Sequence, residues 1–466
     1  MRPACIFLIT AVLLSGCYAT STSLKLPLDE EGEVFFYVQP FPGDAERLRF
    51  GLSEVVALRD DGREIPLSLA VSDFSMSVMR RQRLVASGLL PPGSYRGLSF
   101  RATDAFFKGA EGEYALLVPE KPQLTGLLFE VRKGKSTVIA GTLRAAEAVQ
   151  DKSSFSPSFS LVHPDQPIAA LTGYVVNYGA NNITVFNKKS GQVTGVIATG
   201  MGPRGIALDR GRQRAYVTLA GDDAVDVIDV AVGDIVHRIP LLTGDHPQEP
   251  ALTPDGRFLV TANKGSDTVS IIDSVSFIEL EKITVGKGPN SVLVDPAGRK
   301  AYVFNTLSDT ISIIDLAKRS VVATIATDAG PLRGQLSLNG DRLSVIHSRS
   351  SYLTLIDPRT LAILRRISVG MGASALKLDT RTDRIFLGKR TDPLVSVYEP
   401  ALELPTDTVP AGGGVSCIAI DNDENNLYLV IPRKKTLMSV NIVSNQPVAE
   451  LDVNEGAYWV TLMGER

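Results

Sequence analysis

The chain repeats the plan of KAYVFNTLSDTISIID, Lys300–Asp315, at a nearly fixed distance. Two short apolar runs flank a polar turn, and thirteen residues separate Tyr302 in the first run from Asp315, which ends the second. The same offset of thirteen recurs from Tyr174 to Asn187, Tyr216 to Asp229 and Val260 to Asp273. It recurs again from Ser344 to Asp357, Phe386 to Glu399 and Tyr428 to Asn441. Successive units lie 42 residues apart, with one spacing of 44 between the second and third. A period of this size held over seven units signals a solenoid, propeller or array. Four short strands per unit, set off by Gly-Pro-like and Asp/Gly turns, match a propeller blade.

Counting strands shows how the ring closes. The first unit begins at its second strand, with no inner strand before Gly173. Inner strands are expected after Gly202, His246, Gly288, Gly330, Gly372, Gly414 and Gly456. The last, Tyr458 to Met463, has one vacant place to fill, the inner position of the first blade. Residues 171–466 are therefore predicted to form a seven-bladed β-propeller closed by the C-terminal strand, which leaves no open edge at the seam.

The units resemble the bacterial propeller repeat named after Tyr-Val-Thr-Asn, the YVTN family. Tyr216-Val217-Thr218, Tyr302-Val303-Phe304-Asn305 and the endings Ile271-Ile272-Asp273 and Ile313-Ile314-Asp315 carry the likeness. The fifth to seventh units, at Ser344, Gly388 and Pro432, depart from it. The resemblance implies a fold and leaves the chemistry open.

At 466 residues and 44% hydrophobic content, the chain is too long for one ordinary core. A net charge of -3 lacks the basic excess that phosphate neutralisation requires, which argues against nucleic acid as a partner. The N-terminus runs from Met1-Arg2-Pro3 through an apolar stretch, Cys5 to Leu14, to Leu14-Ser15-Gly16-Cys17. That stretch is too short for a permanent span and reads as an export signal, residues 1–16. Leu-Ser-Gly-Cys resembles the bacterial lipobox, which implies acylation of Cys17 and attachment to the cell envelope. Tyr18 stands where retention at the inner membrane usually takes Asp, so the resemblance implies the outer membrane of a Gram-negative bacterium. Of three cysteines, Cys5 leaves with the signal and Cys17 takes lipid, so Cys417 has no disulfide partner.

Residues 17–31 read as a polar tether, and residues 32–162 as a β-sandwich of immunoglobulin-like or transthyretin-like kind. Asp60-Asp61-Gly62 marks a hairpin between Val55–Leu58 and Ile65–Leu69. Lys133-Gly134-Lys135 is read as a second, between Leu127–Val131 and Thr137–Ala140. The Ser- and Pro-rich run from Gln150 to Pro167 reads as connector, with Ser158 to Val162 left as a possible last strand and residues 163–170 as the linker proper.

Candidate sites follow from setting the units on a ring. A ligand site at the channel mouth would use Arg204, Gln248, Glu249, Asn290, Arg333, Ser374, Ser416 and Tyr458. On the surrounding loops, blades two to four contribute Asp222, Asp223, Asp245, Glu249, Asp267 and Asp309, diluted by Lys264 and Lys287. Blades five to seven contribute Arg333 and, as a basic surface for a protein partner, Arg349, Lys389, Arg390, Arg433, Lys434 and Lys435. Solvated loop charges would look the same in sequence. The four histidines, His163, His237, His246 and His347, show no metal-ligand spacing, and neither metal nor cofactor is expected. The leading expectation is a non-enzymatic, membrane-anchored binding or scaffold protein with the sandwich as spacer. The rival is a propeller enzyme of lactonase or quinoprotein kind, for which only Asp245, His246 and Glu249 cluster locally.

Overall fold

A computed structural model describes residues 27–464; the export signal and Cys17 lie outside the described residues. Seven four-stranded antiparallel sheets follow one another from Thr172 onward. The first consists of Thr172–Asn177, Asn182–Asn187 and Gln192–Ala198, with Ala457–Leu462 as its inner strand. Gly173 pairs with Leu462 and Val175 with Val460, as the strand count requires. Within the fourth blade Lys300–Asn305 and Thr310–Asp315 are buried along most of their length, whereas the outermost Ser320–Ala326 is largely exposed. Neighbouring blades cover both faces of the middle strands, which explains why those segments read as apolar runs rather than as a strict alternation.

In the first, third and fourth blades the second strand ends on an Asn that has a structural task. Asn305 Nδ2 donates to Thr310 Oγ1 at 3.1 Å and Ser312 Oγ at 2.9 Å. Asn263 does the same with Thr268 and Ser270. In the fifth blade His347 takes this place, fully buried, with Nδ1 against Tyr352 O at 3.0 Å and Nε2 against Thr327 Oγ1 at 3.2 Å.

The closure is further held by a buried ion pair. Lys188 Nζ of the first blade lies 2.7 Å from Asp421 Oδ2 of the seventh and donates to Met463 O at 3.0 Å. Both side chains are almost inaccessible, at 3% and 1%, so each charge depends on the other.

The N-terminal region contains β1 (Gly32–Val38), β2 (Leu48–Arg59), β3 (Glu64–Leu69), β4 (Asp73–Phe74) and β5 (Arg83–Leu90). It continues with β6 (Gly93–Lys108), β7 (Glu113–Ala115), β8 (Gln123–Val131), β9 (Ser136–Leu143) and a last strand, Phe159–Val162. These ten form one sheet in the order last strand, β9, β1, β5, β3, β2, β6, β7, with β4 on β2 and β8 on β6. The two layers of the expected sandwich are halves of a single curled sheet, joined at β3, which pairs with both β2 and β5. Phe36, Phe50, Phe74, Phe100, Phe155 and Phe159 fill the space between them.

The hairpin at Asp60–Gly62 forms as read, but the one at Lys133–Lys135 does not. Instead β8 pairs with β6 and β9 runs parallel to β1, so this turn arches between the halves of the sheet.

The expected spacer is docked on the propeller. Phe35, Tyr37 and Val138 share an apolar cluster with Val193 and Val196 of the first blade and Leu451 and Val453 of the seventh. Asp452, ending the outer strand of the seventh blade, accepts from Arg83 Nε at 2.7 Å, Arg81 Nη2 at 3.0 Å and the Leu84 amide at 3.1 Å. Gln82 accepts from the Val193 amide at 2.7 Å and donates to the Val193 carbonyl at 3.4 Å. One short stretch of the N-terminal domain thus grips the outer strands of both blades that flank the seam.

Candidate functional site

Each inner strand begins with one residue at the channel mouth, and the period sets seven such positions in a ring. Arg204, Gln248, Asn290, Ser374, Ser416 and Tyr458 all line a cavity of about 450 Å3 there, as read from the sequence. A second ring, one residue past each second strand, adds Lys264, Arg390 and Pro432 to its wall. Tyr178 holds the same place in the first blade and lies beneath Arg204, whose guanidinium carbon sits 3.8 Å from its ring centre and 5.2 Å from that of Tyr458. Lys264 and Arg390, loop charges in the sequence reading, belong to this ring, which the same repeat places in the channel wall.

Below the rim, the channel is crossed by an ion pair. Arg333 Nε donates to Glu249 Oε1 and Oε2 at 2.8 and 3.0 Å, and Nη1 donates to the Ser374 and Ser416 carbonyls at 2.8 and 2.7 Å. Tyr458 OH donates to Glu249 Oε1 at 3.0 Å. Burial works against the Arg333 charge, but Glu249 outweighs it and the pKa of the guanidinium is raised. Burial, then the Glu249 charge, pushes the Tyr458 hydroxyl above its usual range. A smaller cavity, about 110 Å3, lies on the far side of Arg333 between Cys417 and Trp459. Arg333 and Glu249, expected among the rim groups, therefore form a neutral floor, and the mouth is a blind funnel.

The expected acidic half of the face is consumed in holding loops. Asp267 and Asp309 accept the amides of Gly288 and Gly330 at 2.7 and 2.8 Å, and Asp223 accepts those of Gly244 and His246. Asp222 pairs with Arg238, and the buried Asp245 with Lys282. Three of the expected basic groups are also compensated: Arg349 by Asp309, Lys389 by Asp392 and Lys435 by Glu455. Arg390, Arg433 and Lys434 have no ion pair among the described residues, and neither do Arg204 and Lys264. Burial, then the neighbouring Arg204, lowers the pKa of Lys264. The funnel wall therefore carries Arg204, Lys264, Arg390 and Arg433 and no carboxylate. Its field is positive although the protein is acidic overall.

The local cluster on which an enzyme reading rests, Asp245, His246 and Glu249, is divided among separate partners. Asp245 and Glu249 are in ion pairs, and His246 Nδ1 lies 2.8 Å from Ala220 O. His237 stacks on Phe277. Among the described residues, no three of His, Cys, Asp and Glu come together as a metal site. Cys417 is buried, with Sγ 3.8 Å from Val460 O of the closing strand.

Among solved structures, hydrazine synthase of Kuenenia stuttgartiensis aligns with a TM-score of 0.54 at 17% identity, over 60% of this chain and 98% of that one. The dihydro-heme d1 dehydrogenase NirN in complex with DHE aligns with a TM-score of 0.51 at 12% identity, over 65% and 77%. At such identities the likeness is one of fold. No curated protein matches the chain. Residues 175–384, from the first blade into the sixth, match the family described as YNCE-like beta-propeller, and it is to these propellers that the chain is similar in sequence.

Proposed function

We propose that this protein is a non-enzymatic binding and scaffold protein of the cell envelope, held at a membrane through acylated Cys17, whose propeller mouth engages an acidic protein partner. The observation carrying this reading is the funnel wall of four cations that no carboxylate of the described residues offsets. Uncompensated charge around a concave mouth steers and orients an oppositely charged partner. The N-terminal domain, gripping the blades on either side of the seam, supports the reading of a fixed platform between lipid and propeller. The test is capture of partners from native membranes by the lipidated protein, compared with a variant carrying Arg390→Glu and Arg433→Glu. Capture is expected to fall on charge reversal and on raising the salt concentration.

A further inference from the structure

Residual hydrogen-bonding capacity in the funnel narrows the chemistry of what it accepts. The cations stand in two groups on opposite sides of the ring: Arg204 and Lys264 from blades two and three, Arg390 and Arg433 from blades six and seven. Arg204 rests on two tyrosine rings, and its buried Nε donates to no protein acceptor. Beside the first group the rim is neutral, with Gln248 on blade three and Asn290 on blade four, and each amide donates one of its two N–H groups inward. Gln248 Nε2 donates to His246 O at 2.9 Å and Asn290 Nδ2 to Leu332 O at 3.4 Å. Each of these amides keeps its second N–H and its oxygen, a donor and an acceptor side by side. The floor offers little, because Glu249 and the two blade carbonyls already occupy the Arg333 guanidinium.

A matching ligand thus bears at least two separated anionic groups together with hydrogen-bonding groups that both accept and donate. We propose that the mouth takes an extended acidic peptide segment of the partner, with carboxylates on the two cation groups and backbone N–H and C=O groups on the Gln248 and Asn290 amides. This rests on the binding reading above and names the part of the partner that enters. A simple phosphate or dicarboxylate supplies the charges but not the paired donors and acceptors that match an amide, whereas a peptide backbone presents N–H and C=O groups at regular spacing.

The test is fluorescence anisotropy with the full chain and a dye-labelled peptide of alternating Glu and Gly, its Gln–Gly counterpart serving as the neutral probe. The Glu peptide should bind, and the Gln peptide at least tenfold more weakly. Arg390→Gln with Arg433→Gln, on exposed loops, should weaken the Glu peptide about tenfold, and Arg204→Gln with Lys264→Gln should do so independently. Arg390→Lys with Arg433→Lys should retain most of the affinity. Equal affinity for both peptides, or indifference to removal of either cation group, overturns the proposal. So does displacement of the peptide by inorganic phosphate or a sugar bisphosphate at lower concentration than by unlabelled peptide. If the Glu peptide fails to bind while capture of native partners still depends on Arg390 and Arg433, the peptide inference falls and the binding reading stands; if capture is also indifferent, both fall.

Discussion

Replacing Asp452 by Ala tests whether the N-terminal domain is part of the propeller's stability or a passenger on it. The substitution removes the acceptor of two guanidinium groups and one backbone amide at a side chain only 13% exposed. Arg81 and Arg83 are themselves about a quarter exposed, and Arg81 keeps its contact with Glu450. Hydrogen bonds to charged groups contribute about 1.5 to 3 kcal/mol each when buried, and exposed ion pairs contribute about 0 to 1 kcal/mol. With Arg81 partly rescued and water able to reach both arginines, the net loss should be about 3 kcal/mol. For a cooperative unit of this size that lowers Tm by roughly 3 °C. Denaturant unfolding followed by fluorescence gives the free energy, and limited proteolysis shows whether cleavage rises near the linker and in the seventh blade together. Glu281→Ala, on an exposed outer strand of the third blade, serves as control. If Asp452→Ala falls within about 0.5 kcal/mol of the parent, as ordinary surface changes do, the grip across the seam contributes nothing and the spacer view returns.

Deleting residues 457–466 removes the inner strand of the first blade with its buried Val460 and Leu462. Loss of several kcal/mol is expected at about 1.5 to 3 kcal/mol per buried apolar side chain, visible as aggregation or new protease sensitivity near Leu171. Glu249→Gln leaves Arg333 without its counter-charge and should cost about 3 to 5 kcal/mol in denaturant unfolding, most of it recovered in the double variant Glu249→Leu, Arg333→Met. His347 is buried, and burial holds its pKa below the usual value of 6.5. The unfolded chain therefore binds the proton first on acidification, and stability should fall as pH drops below about 6.5. His347→Asn, which restores the residue of the third and fourth blades, should flatten that part of the stability profile.

The propeller was legible because its information is periodic. A ring of blades 42 residues apart fixes which residue of each inner strand reaches the mouth, and so Tyr458, the last of them, could be placed beside Arg204. The pairing of Arg333 with Glu249 could not be placed. Both lie one position beyond the rim, 84 residues apart, but no pattern in the chain says that a long side chain crosses the channel instead of pointing to solvent. The apparent acidic half misled for a related reason. At the end of a tight turn an Asp serves as acceptor for a loop amide, as Asp309 does for Gly330, and its charge is then no longer a free surface feature. In the N-terminal domain nothing repeats. Lys133-Gly134-Lys135 has the composition of a hairpin turn, yet such a turn serves equally well to pass from one half of a curled sheet to the other. The contacts of Gln82 with Val193 and Arg83 with Asp452 join residues more than 100 positions apart, beyond the reach of any local signal.

The most direct measurement compares capture of native envelope partners by the lipidated parent and by the Arg390→Glu, Arg433→Glu variant, at low and high salt, with unchanged melting of the two proteins as the control for folding. Capture by the parent should decline with salt, and the variant should capture little at either salt concentration. Equal, salt-independent capture by both would contradict the binding reading and reduce the cations of the mouth to solvated loop charges.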